Sequence, residues 1–142
     1  MANNETFGPL LGEIARSWRN KLDQRLKPLG MSQAKWLVLL HLNMASSDMT
    51  QKELSERLGI EGPSLVRLLD RMEADGWVER RVSPNDRRAK IVHLTAKANA
   101  MIREIKRVAA KLRSELLGDI SAEELSTASS VLHRIKQRME QL

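Results

Sequence analysis

The chain has 142 residues and a hydrophobic fraction of 42%, which suits one ordinary domain or two small lobes and excludes wholesale disorder. Cysteine is absent, so disulfides, thiolate metal sites and cysteine redox sensing are excluded together. No apolar run reaches the ~18 residues a membrane span needs, and the start lacks a basic-then-apolar leader, so a soluble, cytoplasmic protein with no membrane partner is expected.

Apolar residues recur at helical spacing almost throughout, which predicts a mostly α fold. Leu10, Leu11, Ile14, Trp18, Leu22 and Leu26 mark a first helix over about residues 7–27, ended by Pro28 and Gly30. Ser32 caps a second helix carrying Trp36, Leu37, Leu39, Leu40 and Leu42, apolar on nearly every side and therefore buried. After the polar stretch Ser46-Ser47-Asp48, Thr50 and Glu53 have the spacing of a capping box, which opens a brief third helix to Leu58. Gly59 supplies a tight turn, Pro63 opens a fourth helix to about Asp75, and Gly76 ends it.

The one clear β-signal comes next. Val78 to Val82 and Lys90 to Leu94 flank a turn-rich tip, Ser83-Pro84-Asn85-Asp86-Arg87-Arg88. Such a hairpin cannot stand alone and must pack on the preceding helices. Thr95 caps a long fifth helix through about Leu117, with Met101, Ile102, Ile105, Val108, Leu112 and Leu116 as its stripe. Gly118 stops it, and Ser121 with Glu124 caps a last helix bearing Leu125, Leu132, Ile135 and Met139. The expected fold is mostly α with a small β-hairpin wing: a winged helix-turn-helix lobe over residues 46–94, flanked by supporting helices over 1–45 and long helices over 95–142. The flanking stripes exceed what a compact middle unit can cover, so a second copy of the chain is expected to bury the remainder as a homodimer. A monomeric helical bundle with a wing is the alternative.

The formal net charge is +6 and the pI about 10.1, which invites a polyanionic partner. The excess is not concentrated in the middle: residues 1–49 carry 6 basic and 4 acidic side chains, residues 50–94 carry 9 and 8, and residues 95–142 carry 9 and 6. Helix faces are more informative. In the fourth helix Leu65, Leu69 and Met72 repeat at i, i+4, i+7 and point inward with Leu68, which leaves Ser64, Arg67 and Arg71 on the opposite side. Arginine can bridge guanine O6 and N7, and a short helix, a glycine turn and such a helix form the arrangement that enters a major groove. A solvated face, with Asp70 and Glu73 pairing with these arginines, is the competing interpretation. The wing tip adds Arg87 and Arg88 where core packing gives nothing, suited to a narrow minor groove. Asp86 there would repel phosphate, and its expected role is to hold an arginine or the turn backbone.

These residues resemble the MarR family of winged-helix regulators. The resemblance runs through Thr50-Gln51-Lys52-Glu53-Leu54-Ser55, Gly62-Pro63-Ser64-Leu65-Val66-Arg67, Asp70 to Val78, and the wing Asp86-Arg87-Arg88-Ala89-Lys90 leading into Leu94-Thr95. Arg25-Leu26-Lys27-Pro28-Leu29 together with the recognition-helix and wing segments resembles the SlyA-like branch. The resemblance implies a homodimeric transcription regulator on a pseudo-palindromic double-stranded DNA operator, with Pro63, Ser64, Arg67, Arg71, Asp86, Arg87 and Arg88 as DNA-binding residues. It implies that Arg88 enters the minor groove while Arg87 lies nearer the backbone, and that the target genes concern efflux, stress response or virulence. It also implies release by a small phenolic or aromatic carboxylate held by Arg16, Trp18, Trp36 and His41; an arginine and two indoles suit an aromatic anion, although both tryptophans also fall on packing stripes.

No catalytic residue, metal or cofactor is expected. There is no glycine-rich phosphate loop or nucleophile elbow, and His41, His93 and His133 are dispersed without acidic company. A winged helix that presents its helices to another protein is the remaining rival, separable from a DNA reader by salt dependence.

Overall fold

The structure, a computed structural model, describes residues 4–142. Helix α1 (Asn4–Leu26) runs into a 3-10 turn, Lys27–Leu29, and helix α2 (Gln33–Met44) starts at Ser32, whose hydroxyl accepts the Lys35 amide. Strand β1 (Met49–Thr50) leads into α3 (Gln51–Leu58) and α4 (Gly62–Ala74). Strands β2 (Val78–Val82) and β3 (Lys90–Leu94) form the hairpin, followed by α5 (Ala96–Leu117) and α6 (Ala122–Glu140). The mostly helical winged-helix class expected from periodicity is the one observed.

The sheet has three strands rather than two, antiparallel in the order β1-β3-β2. Two-residue β1 pairs Met49 with Val92 and Thr50 with Ile91, and so gives the hairpin a third partner at its base. A two-residue strand has no alternation to betray it, which is why periodicity misses it. The cap of α3 also departs from the full box that the spacing predicts. The Thr50 hydroxyl accepts the Glu53 amide at 3.1 Å, but the Glu53 carboxylate receives the Thr50 hydroxyl instead of closing a full capping box on the Thr50 amide. At α6 the box is complete: Ser121 and Glu124 each accept the other's amide, and the bond from the Ser121 amide holds the Glu124 carboxyl below its usual range.

Two compact units are distinguished, one ending at Val108 and the other Ala109–Leu142. In the first, Leu26, Trp36, Val38, Leu39, Leu54, Leu65, Leu69, Met72 and Ile105 are buried and form one core. The α3–α4 corner depends on Gly59, whose φ of 66° lies in the left-handed region that glycine enters without steric penalty. Leu65, Leu68, Leu69 and Met72 form the buried stripe of α4, as their spacing requires. Cutting Leu69 back to alanine would cost about 2–5 kcal/mol and release α4 from its seat.

The second unit comprises the end of α5 and all of α6. Helix α6 buries no residue within the chain, and Leu125, Leu132 and Met139 are 40%, 43% and 67% exposed. No helix of the described residues is long and apolar enough to cross a membrane.

Candidate nucleic-acid interface

Helix α4 presents Pro63, Ser64, Arg67 and Arg71 to solvent, on the side away from its buried leucines. Its first turn has no side-chain cap, and Pro63 stands at a position where a missing amide costs nothing. The uncapped start carries the positive end of the helix dipole. Arg67 Nη2 donates to Ser64 Oγ at 3.2 Å, so the two side chains already form one polar unit.

The acids of α4 are engaged elsewhere. Asp70 and Glu73 do not pair with Arg67 or Arg71; both turn to Arg80 on β2. The Arg80 guanidinium reaches Asp70 Oδ1 at 2.5 Å, Glu73 Oε1 at 2.8 Å and Gln51 Oε1 at 3.3 Å, while its amide donates to Glu73 Oε2 at 3.0 Å. The backbone bond and the guanidinium bonds from Arg80 hold the Glu73 carboxyl below its usual range. Burial opposes the Arg80 charge, but the bonds to Asp70 and Glu73 outweigh it and raise its pKa. One side chain thus ties α3, α4 and the hairpin root together.

The wing tip is built by Asp86. Its carboxylate accepts the Arg88 amide at 2.9 Å, and its carbonyl accepts the Ala89 amide at 3.1 Å. This is an Asx turn laid over a four-residue turn, with Arg87 and Arg88 as the two central residues. Ser83 N donates to Ala89 O at 2.9 Å and closes the loop, so Ala89 belongs to the tip as well. Arg87 and Arg88 are exposed, and among the described residues neither they nor Arg71 enters an ion pair.

The four residues expected at an effector site lie on two helices. Arg16 is exposed on α1, with its guanidinium lying back 3.3 Å from where a Cβ of Gly12 would stand. Trp18 is half-buried on the same helix. Trp36 on α2 is only 2% exposed and its indole N–H donates to Asp23 Oδ1 at 2.9 Å, which accounts for its burial. His41 is half-buried with Nδ1 2.9 Å from Leu37 O. Two of the four polar handles are therefore already engaged within the chain.

A family model described as the MarR family matches residues 29–89. The crystal structure of the transcriptional regulator PA3341 is similar with a TM-score of 0.88 at 46% identity, covering 96% of this chain and 99% of that one. The Multiple Antibiotic Resistance Repressor, MarR, is similar at 0.75 and 30% identity, covering 91% of this chain and 94% of that one. A mutant MarR from E. coli complexed with operator DNA is similar at 0.74 and 27% identity, covering 94% and 99%. The chain belongs to the MarR family. It is a transcriptional regulator and not an enzyme.

Within this MarR-family chain, two residues of the surface escape sequence reasoning. Arg80 sits mid-strand in a charged run, and its partners lie 7, 10 and 29 positions away, so no local pattern joins them. Val66 is 37% exposed on α4 beside an open groove of about 330 Å³ shared with Gln51, Lys52 and Ser55 of α3. Its exposure breaks the amphipathic pattern, and that break is the signal which could have found it.

Proposed function

We propose that this MarR-family regulator, of the SlyA-like branch, is a homodimer that reads a pseudo-palindromic operator in double-stranded DNA. In this reading residues 46–94 form the DNA-binding lobe, and residues 1–45 and 95–142 support and dimerise it. The observation that carries the proposal is the diversion of Asp70 and Glu73 onto Arg80, which leaves Arg67 and Arg71 without carboxylate partners on an exposed recognition-helix face. Arg67, Arg71 and Ser64 suit base edges and phosphates in the major groove, and Val66 offers an apolar surface that suits a thymine methyl. Arg87 and Arg88 project from a turn that Asp86 holds, which suits insertion into the adjacent minor groove.

The exposed apolar residues of the flanking helices support the dimer. Phe7, Leu10 and Ile14 of α1, and Leu125, Leu132 and Met139 of α6, are each at least 40% exposed in the single chain. A second copy would cover such surface and set two recognition helices one DNA turn apart. The MarR structure with operator DNA adds a related protein in the same role. With genomic DNA as partner, the site of action is the cytoplasm, and the regulated genes are of the efflux, stress-response or virulence kind.

A small phenolic or aromatic carboxylate is the proposed releasing signal. Arg16 and Trp18 are its most accessible contacts, while Trp36 and His41 must exchange the partners they hold in the free chain.

Capturing genomic fragments on the purified protein and sequencing them tests the proposal. An enriched inverted repeat, with half-sites about one helical turn apart, is expected. Fragments without a shared motif would reduce the protein to a nonspecific binder, and no enrichment at all would remove DNA as its partner.

A further inference from the structure

The C-terminal end of the recognition helix is gripped from outside. Lys97, in the first turn of α5, donates from Nζ to the carbonyl of Asp75, the C-cap residue of α4, at 2.5 Å. The same ammonium lies 4.1 Å from the centroid of the Trp77 ring. Its stem crosses the turn between those residues: a Cβ on Gly76, whose φ is 82°, would meet Lys97 Cδ at 3.7 Å. Thr95, two residues earlier, donates its hydroxyl to Gly76 O at 2.6 Å while accepting the Ala98 amide. Lys35 of α2 pairs with the Asp75 carboxylate at 3.7 Å.

Each contact has a physical reason. The last carbonyls of a helix lack intrahelical partners and carry the negative end of the dipole, where a lysine is favourable. An ammonium over an indole face gains from the ring quadrupole. Gly76 takes the left-handed turn that other residues rarely adopt, and the Lys97 stem packs over it, so a left-handed turn and a lysine clasp occupy one place.

We propose that Lys97 is a positioning residue for DNA reading: it acts through Asp75 and Trp77 to set the tilt of α4, without touching DNA. The role rests on the DNA-binding function proposed above. A helix of 13 residues is about 20 Å long, so a tilt of about 5° at its C-terminal end moves its first turn by about 1.7 Å. That displacement exceeds the tolerance of a hydrogen bond to a base edge. Pro63, Ser64 and Arg67 stand at the far end of this lever.

The test compares wild type, Lys97→Met and Lys97→Arg on an operator fragment selected from genomic DNA, well below the unfolding temperature and over a range of salt. Methionine keeps the apolar stem and removes the charge and the donor; arginine keeps all three. Lys97→Met should bind the fragment about threefold to tenfold more weakly, the range typical of a coupling residue away from the ligand. Its salt slope should match the wild type, because a lost phosphate contact would instead lower the slope by about 1. Lys97→Arg should restore the affinity. A lysine with a purely structural role would lower the melting temperature and leave the affinity of the folded protein unchanged, which overturns the proposal. So would a shallower salt slope in Lys97→Met, or a failure of arginine to rescue. A wild type that binds no fragment would overturn the DNA-binding function itself, a result distinct from all of these.

Discussion

Arg80 and Glu73 are joined by both backbone and side chain: the Arg80 amide donates to Glu73 Oε2 at 3.0 Å, and its guanidinium to Glu73 Oε1 at 2.8 Å. The first bond ties the middle of β2 to α4, and the second holds the acid away from Arg67 and Arg71. Arg80→Met should lower stability by about 1–2 kcal/mol, the value of a charge-assisted pair discounted for the exposure of Glu73 and Asp70. Urea titration measures it. An unchanged midpoint would mean that the network contributes no net stability.

The same pair sets a pH dependence. The Glu73 pKa is depressed from its ordinary value of 4.5 on folding, so its contribution is fully present above about pH 4.5. It fades as the pH falls through the folded value. The stability gap between wild type and Glu73→Gln should therefore be constant from pH 7 to 5 and narrow below pH 4.5. A gap that widens on acidification would contradict the assignment.

At the wing, Arg88→Ala should weaken operator binding by about 1–3 kcal/mol. Asp86→Ala should weaken it as well, although it removes a negative charge, because the turn that aims Arg87 and Arg88 loses the Asp86 acceptor. Electrophoretic shift titrations distinguish the two causes. An Asp86→Ala protein that binds more tightly would show that its charge, and not the turn, dominates.

Arg67→Ala should narrow the discrimination between operator and random DNA, by about 1–3 kcal/mol if Arg67 reads a base. Competition with random fragments measures this directly. An equal loss on both DNAs would assign Arg67 to phosphate.

An aromatic carboxylate such as salicylate should quench tryptophan emission and weaken operator binding over the same concentration range. Arg16→Ala should shift both curves together. Quenching without any change in DNA affinity would mean a pocket without a switch.

The fold was largely legible because its signals are local. Capping residues, Gly59, Gly76 and the i, i+4, i+7 stripe of Leu65, Leu69 and Met72 each act within a turn or two of the chain. The strand bounds Val78–Val82 and Lys90–Leu94 follow from the turn-forming residues between them. Long-range pairings were not legible. Strand β1 exists because Val92 and Ile91 offer it a ladder, and the Arg80 network joins residues up to 29 positions apart. Trp36 has stripe spacing that fits a core and a binding site equally; only its bond to Asp23 and its burial separate the two in the free chain. Asp86 was the reverse case: a charge of the wrong sign for DNA, at a position where its own turn needs an acceptor.

If α4 and the wing read DNA together, the salt dependence of operator binding must reveal it in wild type and Arg88→Ala. Each phosphate contact should contribute about −0.9 to the slope of log affinity against log salt. The wild type should show a steep negative slope on its selected operator, and Arg88→Ala a weaker affinity with an unchanged oligomeric state. A flat slope, or equal affinity for the two proteins, would exclude joint DNA reading by α4 and the wing.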